Sequence, residues 1–311
     1  LGDVYKRQDL IMRAVARFAM RGHWHAVALT VLGLICSTVI SIFGVISGSI
    51  VSLVTMRIGW LAGLKLAFTS VIFFSLFQFF MTGHAPFTAL YISVIVLGLP
   101  VLLGVALDGS SNQALPLLIV ACGLILFSLV FRIVTGDADQ FWYQQISPIL
   151  NVLQEANGLT LSEQAVMQMS SQMQHIFLVL IFLSFTAIIF LARWWQAELY
   201  NPGGFGFEFR ALRMPKVALY GVAIAGLMVA LNTVANFDVA FVTDCFIILV
   251  LLFSFQGLAV VHAKIYTNNL PVGWLIGLYL LLAIVPQLVG LVLATTGVAD
   301  SLADFRRAKV S

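Results

Sequence analysis

The chain alternates between long apolar blocks and short polar breaks, with almost no stretch of mixed surface. Blocks at 60–81, 87–107, 115–134, 175–192, 216–236, 239–261 and 272–296 are uninterrupted enough to be helices. At about 1.5 Å per residue, each approaches or exceeds the roughly 30 Å of a bilayer's hydrocarbon layer. A helix on the surface of a soluble domain keeps its apolar residues on one stripe; these blocks are apolar on every face, as helices solvated by lipid and by one another are. The predicted fold class is all-α: a polytopic helical membrane bundle with about nine membrane-crossing segments.

The first apolar run, 26–56, holds 31 residues and no charge. That is too long for one upright crossing and short for two. Gly44 and Gly48, with Ser41, Ser47 and Ser49, suit a tight turn in its middle. Charge distribution favours a helical hairpin. With two passes there, the N-terminus, Arg57, Lys65, Arg193, Arg210, Arg213, Lys216 and Lys264 share one side. Segment 135–174, which carries Asp137, Asp139, Glu155 and Glu163, lies on the other. No lysine or arginine occurs between Arg132 and Arg193. Basic residues concentrate on the cytoplasmic side of membrane proteins. The expected topology is therefore a cell inner (cytoplasmic) membrane protein with a cytoplasmic N-terminus and an external 135–174. The C-terminal run is divided by Pro286. It is either one crossing, which strands Arg306, Arg307 and Lys309 outside, or a re-entrant pair.

Composition sharpens this picture. Of the 311 residues 61% are hydrophobic and 9% charged, against about 25% charged in soluble domains; mean hydropathy is +1.04. The net charge of +3 sits in short breaks between blocks, which speaks for a bilayer and against nucleic acid. Cys36, Cys122 and Cys245 lie within apolar stretches and read as small buried residues rather than disulfide or metal partners. Residues 1–11 differ in style from the rest of the chain and read as a leader or artefact outside the fold. Segment 12–25 repeats Arg13, Arg17 and Arg21 every fourth position, as expected of a cytoplasmic amphipathic helix beside Trp24 and its flanking His23 and His25.

The other expected divisions are membrane helices at 26–134, an external helical insert at 135–174, membrane helices at 175–296 with a cytoplasmic loop at 193–216, and a tail at 297–311. Within the insert, Ser147–Pro148 reads as a helix start, Asn157–Gly158 as a stop, and Thr160–Glu163 as a capping box opening the next helix. Trp142, Ile146, Ile149, Leu150 and Leu153 share one apolar side, giving either a surface-lying helix or a lid.

The stretch ARWWQAELYNPGGFGFEFRALRMPK at 192–216 resembles the signature loop of the YybS-like family of bacterial membrane proteins. QGLAVVHA at 256–263, GVADSLADFRR at 297–307 and VTMRIGWLAGLK at 54–65 extend that similarity along the chain. The family has no assigned reaction, so the resemblance implies no mechanism. More distantly, VSLVTMRIGWLAGLKLAFTSVIFF resembles the second and third helices of the substrate-binding S subunits of energy-coupling-factor transporters, which work with an ATPase partner; the resemblance implies a shared six-helix core and does not by itself imply transport. About three additional crossings and the external insert depart from that pattern.

Polar groups inside a bilayer are costly and point to function by default. Asn232, Asn236, Asp238 and Asp244 form the densest such group. With Gln78 and His84, and with Tyr91 nearby, they are expected at the outer end of the bundle, where they would line a pocket for a small polar solute. The structural alternative is that they cap helices or tie them together. Arg193, Trp194, Trp195, Asn201, Pro202, Gly203, Gly204 and Phe205 make up the cytoplasmic motif, read as a rigid turn at the membrane surface. Small-residue pairs Gly44/Gly48, Gly59/Gly63 and Gly273/Gly277 are expected to pack helices closely. No HExxH, GxSxG, phosphate-loop or CxxC motif occurs, so no catalytic, metal or cofactor role is expected. Two functions remain: a substrate-binding transporter subunit, or a non-transporting scaffold that docks partners through 192–216.

The topology is tested by Asn157→Cys in a background lacking the native cysteines. An impermeant thiol reagent is expected to label it in intact spheroplasts; labelling only after permeabilisation overturns the orientation.

Overall fold

In a computed structural model, the described residues are 12–83, 87–109, 113–157, 162–235 and 239–306. Among them every regular element is a helix: α1 (12–19), α2 (His23–Ser37), α3 (Ile42–Ile58), α4 (Trp60–Thr82), α5 (Phe87–Gly109), α6 (Ala114–Thr135), α7 (Ala138–Asn157), α8 (Glu163–Tyr200), α9 (Gly204–Arg210), α10 (Lys216–Ala235), α11 (Ala240–Thr267), α12 (Gly273–Ile284) and α13 (Pro286–Ala303). Five are long and apolar enough to cross a membrane: α4, α6, α8, α11 and α13.

The run 26–56 is indeed two helices, but its turn lies at Thr38–Ser41 and not at the glycines. Gly44 and Gly48 are interior to α3. At 15 and 17 residues, α2 and α3 reach only about 22 and 25 Å. The α3–α4 break is a single residue, Gly59, at φ 112°, a conformation that a side chain resists.

The chain forms two compact units: residues 1–119 with 184–212, and residues 120–183 with 213–311. In the first, α3 is the core helix, with Ile50, Val51 and Leu53 fully buried. Its hydroxyls are spent on neighbouring backbones. Ser47 Oγ donates to the Thr30 carbonyl at 2.9 Å and Ser52 Oγ to the Pro100 carbonyl at 2.7 Å. Gly63 and Gly104 give way to Thr55, and Gly48 to Ile188 and Pro100.

In the second unit α11 crosses α13 in close contact. A Cβ on Gly257 would collide with the Leu293 carbonyl, and one on Gly297 with the Phe253 carbonyl. Ser254 Oγ donates to the Gly290 carbonyl at 2.8 Å. The expected packing pair Gly273/Gly277 behaves differently: nothing lies within 4 Å of a Cβ built at either, and α12 buries none of its residues. An apolar helix already solvated by lipid gains little from such a contact.

Four boundaries depart from expectation. Helix α7 begins at Ala138, not at Ser147–Pro148, because Asp137 Oδ1 accepts the Asp139 and Gln140 amides at 2.9 and 3.2 Å and caps it. Pro148 lies inside the helix. Helix α8 is capped by Ser162, whose Oγ accepts the Ala165 amide at 3.2 Å; Thr160 and Gly158 lie outside the described residues. Finally, α8 continues to Tyr200 and α13 to Ala303. Arg193, Trp194 and Trp195 are therefore helical rather than in a loop, and the tail at 297–311 is helical as far as Ala303.

Gly257→Ala is expected to lower stability by about 1–3 kcal/mol, since the colliding atom is backbone and cannot rotate away. Gly277→Ala, with open space and a better helix former, is expected to be neutral or mildly stabilising. Thermal unfolding of both variants in detergent, followed by helical circular dichroism, checks the pair.

Candidate functional site

The only buried carboxylates among the described residues are Asp244 and Asp300, both in the second unit. They sit in two polar layers about 18 Å apart along α11, measured from Asp244 to Gln256.

The first layer joins three spans. On α6, Ser128 and Arg132 are four residues apart and share a face. On α11, Asp244 is fully buried. Ser128 Oγ donates to Asp244 Oδ2 at 2.6 Å. Arg132 donates to the same oxygen from Nε at 2.8 Å, and its Nη2 lies 2.7 Å from it. From α8, His175 Nε2 lies 3.4 Å from Oδ1, within ion-pair reach but without hydrogen-bond alignment, so Oδ1 accepts no hydrogen bond. One oxygen of the carboxylate is saturated and the other is open. An enclosed polar atom with no partner costs about 1–3 kcal/mol. The side chains of Arg132 and His175 remain 18% and 26% exposed, so the cluster is reached through them and not through Asp244.

Helix α7 covers the neighbouring faces of α6 and α8. Its Trp142 Nε1 donates to Gln174 Oε1 at 3.0 Å, one residue from His175. Phe127, Phe131, Phe141, Trp142 and Phe177 pack with ring centroids 5.0 to 6.3 Å apart. Two and three turns further along α7, Ile149, Val152 and Leu153 are at least half exposed.

The second layer is built on Gln256. Its Oε1 accepts the Met214 amide at 2.8 Å. Its Nε2 lies 3.0, 3.0 and 2.9 Å from Gly297 O, Asp300 Oδ2 and Ser301 Oγ. Arg306 folds back onto Asp300, with Nη2 2.5 Å from Oδ2, and Arg213 pairs with Asp304. Every charge here has its counter-charge.

In the first unit a third cluster gathers at the end of α8. Arg193 pairs with both oxygens of Glu208, Arg13 with Glu198 at 2.6 Å, and the Arg57 guanidinium stacks 3.9 Å over Tyr200. The Asn201–Gly204 turn has the Gly204 amide on the Asn201 carbonyl at 3.0 Å and Gly203 at φ 86°, ψ −12°. With Pro202 second and glycine third, this is a type II turn. It folds α9 onto α8, where Phe205 and Phe209 meet Phe190.

The expected site residues are scattered between the two units. Asp244 is buried among Ser128, Arg132 and His175, three residues that the sequence pattern does not mark as a site. Asn232 is half-buried, with its Oδ1 enclosed and unpartnered. Gln78 is half-buried on α4, in the first unit. His84, Asn236 and Asp238 lie outside the described residues. Trp194 is half-buried, whereas Trp195 is fully buried in the first unit rather than at the membrane surface, because the continuing helix turns it inward.

The chain matches no family model, no curated protein and no solved structure.

Removing one partner of a buried ion pair costs about 3–5 kcal/mol, because the other charge is left enclosed and unpaired. Arg132→Met alone is expected to destabilise by that order. Adding Asp244→Leu is expected to recover most of the loss. A double-mutant cycle on unfolding midpoints measures both.

Proposed function

We propose that this chain is a multi-pass inner-membrane protein that binds a small polar solute, a substrate-binding transporter subunit resembling energy-coupling-factor S components. The observation that carries the reading is the Asp244–Arg132–Ser128–His175 cluster, which joins three apolar helices of membrane-spanning length. Well-packed apolar residues often replace a buried ion pair at no loss of stability. A charged group placed among membrane helices therefore points to a solute or ion pathway. In this reading the polar centre is Asp244 with its partners, not the expected Asn232–Asn236–Gln78 group.

Nine crossings are proposed, or ten segments if α12 and α13 return as a re-entrant pair. Helix α5 has 23 residues and α10 has 20, which adds two crossings to the five; the α2–α3 hairpin adds two short ones. The Arg213–Asp304 pair supports the re-entrant version, since it keeps Arg306 on the side of Arg213 and Lys216. The contacts of Arg13 and Arg57 with the end of α8 likewise gather basic residues on one side, proposed as cytoplasmic.

The second reading, a scaffold, is favoured by a different observation. The 193–210 helix–turn–helix is braced by Arg193–Glu208 and presents Phe207, 70% exposed. An ATPase or other membrane subunit would dock there in either reading.

The test is purification of the wild-type protein and of Arg132→Lys with native lipids, followed by mass spectrometry of what co-purifies. A polar small molecule present with wild type and reduced at least tenfold with Arg132→Lys is expected, because a point charge replaces a planar fork. A co-purifying protein with no small molecule favours the scaffold.

A further inference from the structure

Independently of the solute-binding reading, we infer that the corner between α1 and α2, together with the first turns of α4, is a surface site for the phosphate of an anionic phospholipid. Arg21 and Lys65 hold the phosphate, with Arg17 beside them, and Trp24 and Trp60 edge the site. All of these residues belong to the first unit.

The carboxylates of that unit are few. Glu198 and Glu208 are taken by Arg13 and Arg193, and Asp108 stands exposed at the end of α5. Arg17, Arg21 and Lys65 are exposed and form no ion pair among the described residues. The Arg21 guanidinium lies 5.6 Å over the Phe18 ring. Helix α1 is seated by buried Ala16 and Ala19 and by the Arg13–Glu198 pair, which turns Arg17 outward. At the corner that follows, His23 Nε2 lies 3.5 Å from Thr69 Oγ1, and the Trp24 and Phe73 rings meet at 6.4 Å. The start of α2 therefore rests on α4. Thr69 Oγ1 donates to the Lys65 carbonyl one turn back, at 2.7 Å. Arg21 comes two residues before His23, so Arg21 and Lys65 approach one level from two helices.

The position of Lys65 decides what they meet. Helix α4 is of membrane-spanning length. Along it Leu64, Phe68, Ile72 and Leu76, spaced four apart, are 41% to 66% exposed. In a bilayer that ridge faces acyl chains. Lys65 lies beside the ridge, about 7.5 Å along the axis from Trp60. A lysine so placed lays its stem on apolar surface and carries its ammonium up to the headgroups. Trp24 and Trp60, 66% and 57% exposed, suit that same level. The anion within reach there is lipid phosphate. Arginine offers it a planar fork and lysine a point charge. A choline or ethanolamine headgroup would bring a further cation to a surface that already has a surplus, so an anionic lipid is preferred. An acidic protein segment would match the charges but not the apolar ridge beside them.

The experiment uses the full-length protein in nanodiscs of unlabelled lipid. Each holds the same small fraction of either phosphatidylglycerol or phosphatidylcholine with acyl chains brominated near the headgroup. Bromine quenches tryptophan on contact, and the difference between wild type and Trp24→Phe isolates Trp24. Its quenching constant is expected to be about fivefold larger or more with brominated phosphatidylglycerol. The excess is expected to vanish in Arg21→Gln/Lys65→Gln and to survive in Lys216→Gln/Lys264→Gln, which removes the same charge from the second unit. Should the first variant fail to fold, Arg17→Gln/Arg21→Gln tests the same surface outside the apolar helices, and the excess is expected to fall there too. Equal quenching by the two lipids overturns the inference. So does an excess that survives loss of Arg21 and Lys65, or one lost equally with Lys216 and Lys264. Absence of quenching by either lipid, with an acidic protein co-purifying, gives the surface to a protein and overturns it as well.

Discussion

A polar group inside these helices has to find its partner within the protein, because lipid offers none. That constraint decides which helices meet and at what height. Ser47, Ser52 and Ser254 each turn a hydroxyl onto the backbone of another helix, so that α2 with α3, α3 with α5, and α11 with α13 are registered by side chain to carbonyl. Glycines then let the backbones close, at Gly63 and Gly104 around Thr55 and at Gly257 and Gly297 between α11 and α13. The apolar side chains add area but little discrimination, since leucine is as content against lipid as against leucine. Helix α12 buries nothing; its polar contact, the Tyr279 hydroxyl with His262 of α11 at 2.9 Å, is exposed.

The same constraint sets how much of the fold is legible in the sequence. Helical blocks are visible because spanning lipid demands unbroken apolar runs, and the hairpin at 26–56 is visible because charge can be counted on both sides of it. Boundaries are not, because they are decided by capping competition between neighbours. Gly136 at φ 73° ends α6 and Asp137 begins α7 at once; the sequence offers Ser147–Pro148 as an equally good start, and a proline can sit inside a helix that is already capped upstream. The 193–200 segment looks like a loop because it is polar. It is a helix because α8, at 38 residues and about 57 Å, simply outruns the bilayer.

Asp244 stands out in the sequence because no helix cap explains a carboxylate a full turn inside an apolar block. Its partners do not. Ser128 and Arg132 lie more than a hundred residues away. Arg132 reads as a marker of orientation, the last basic residue before a stretch free of lysine and arginine that runs to Arg193, and a buried role hides behind that one. His175 looks like a boundary residue for a related reason. It stands where the polar start of α8 gives way to its apolar body, and such a position carries solvent and core at once.

The two layers of the second unit are held by different chemistry, and the difference bears on how the molecule works. Around Gln256 the amide meets Gly297 O, Ser301 Oγ and the Asp300 carboxylate, and Asp300 is matched by Arg306, Asp304 by Arg213. The tight crossing at Gly257 and Gly297 fixes α11 against α13. Around Asp244 the matching is incomplete, with one oxygen open and a histidine beside it. The layer around Gln256 holds α11 against α13, and the layer about 18 Å away ties it to α6 through one ion pair that leaves a carboxylate oxygen over.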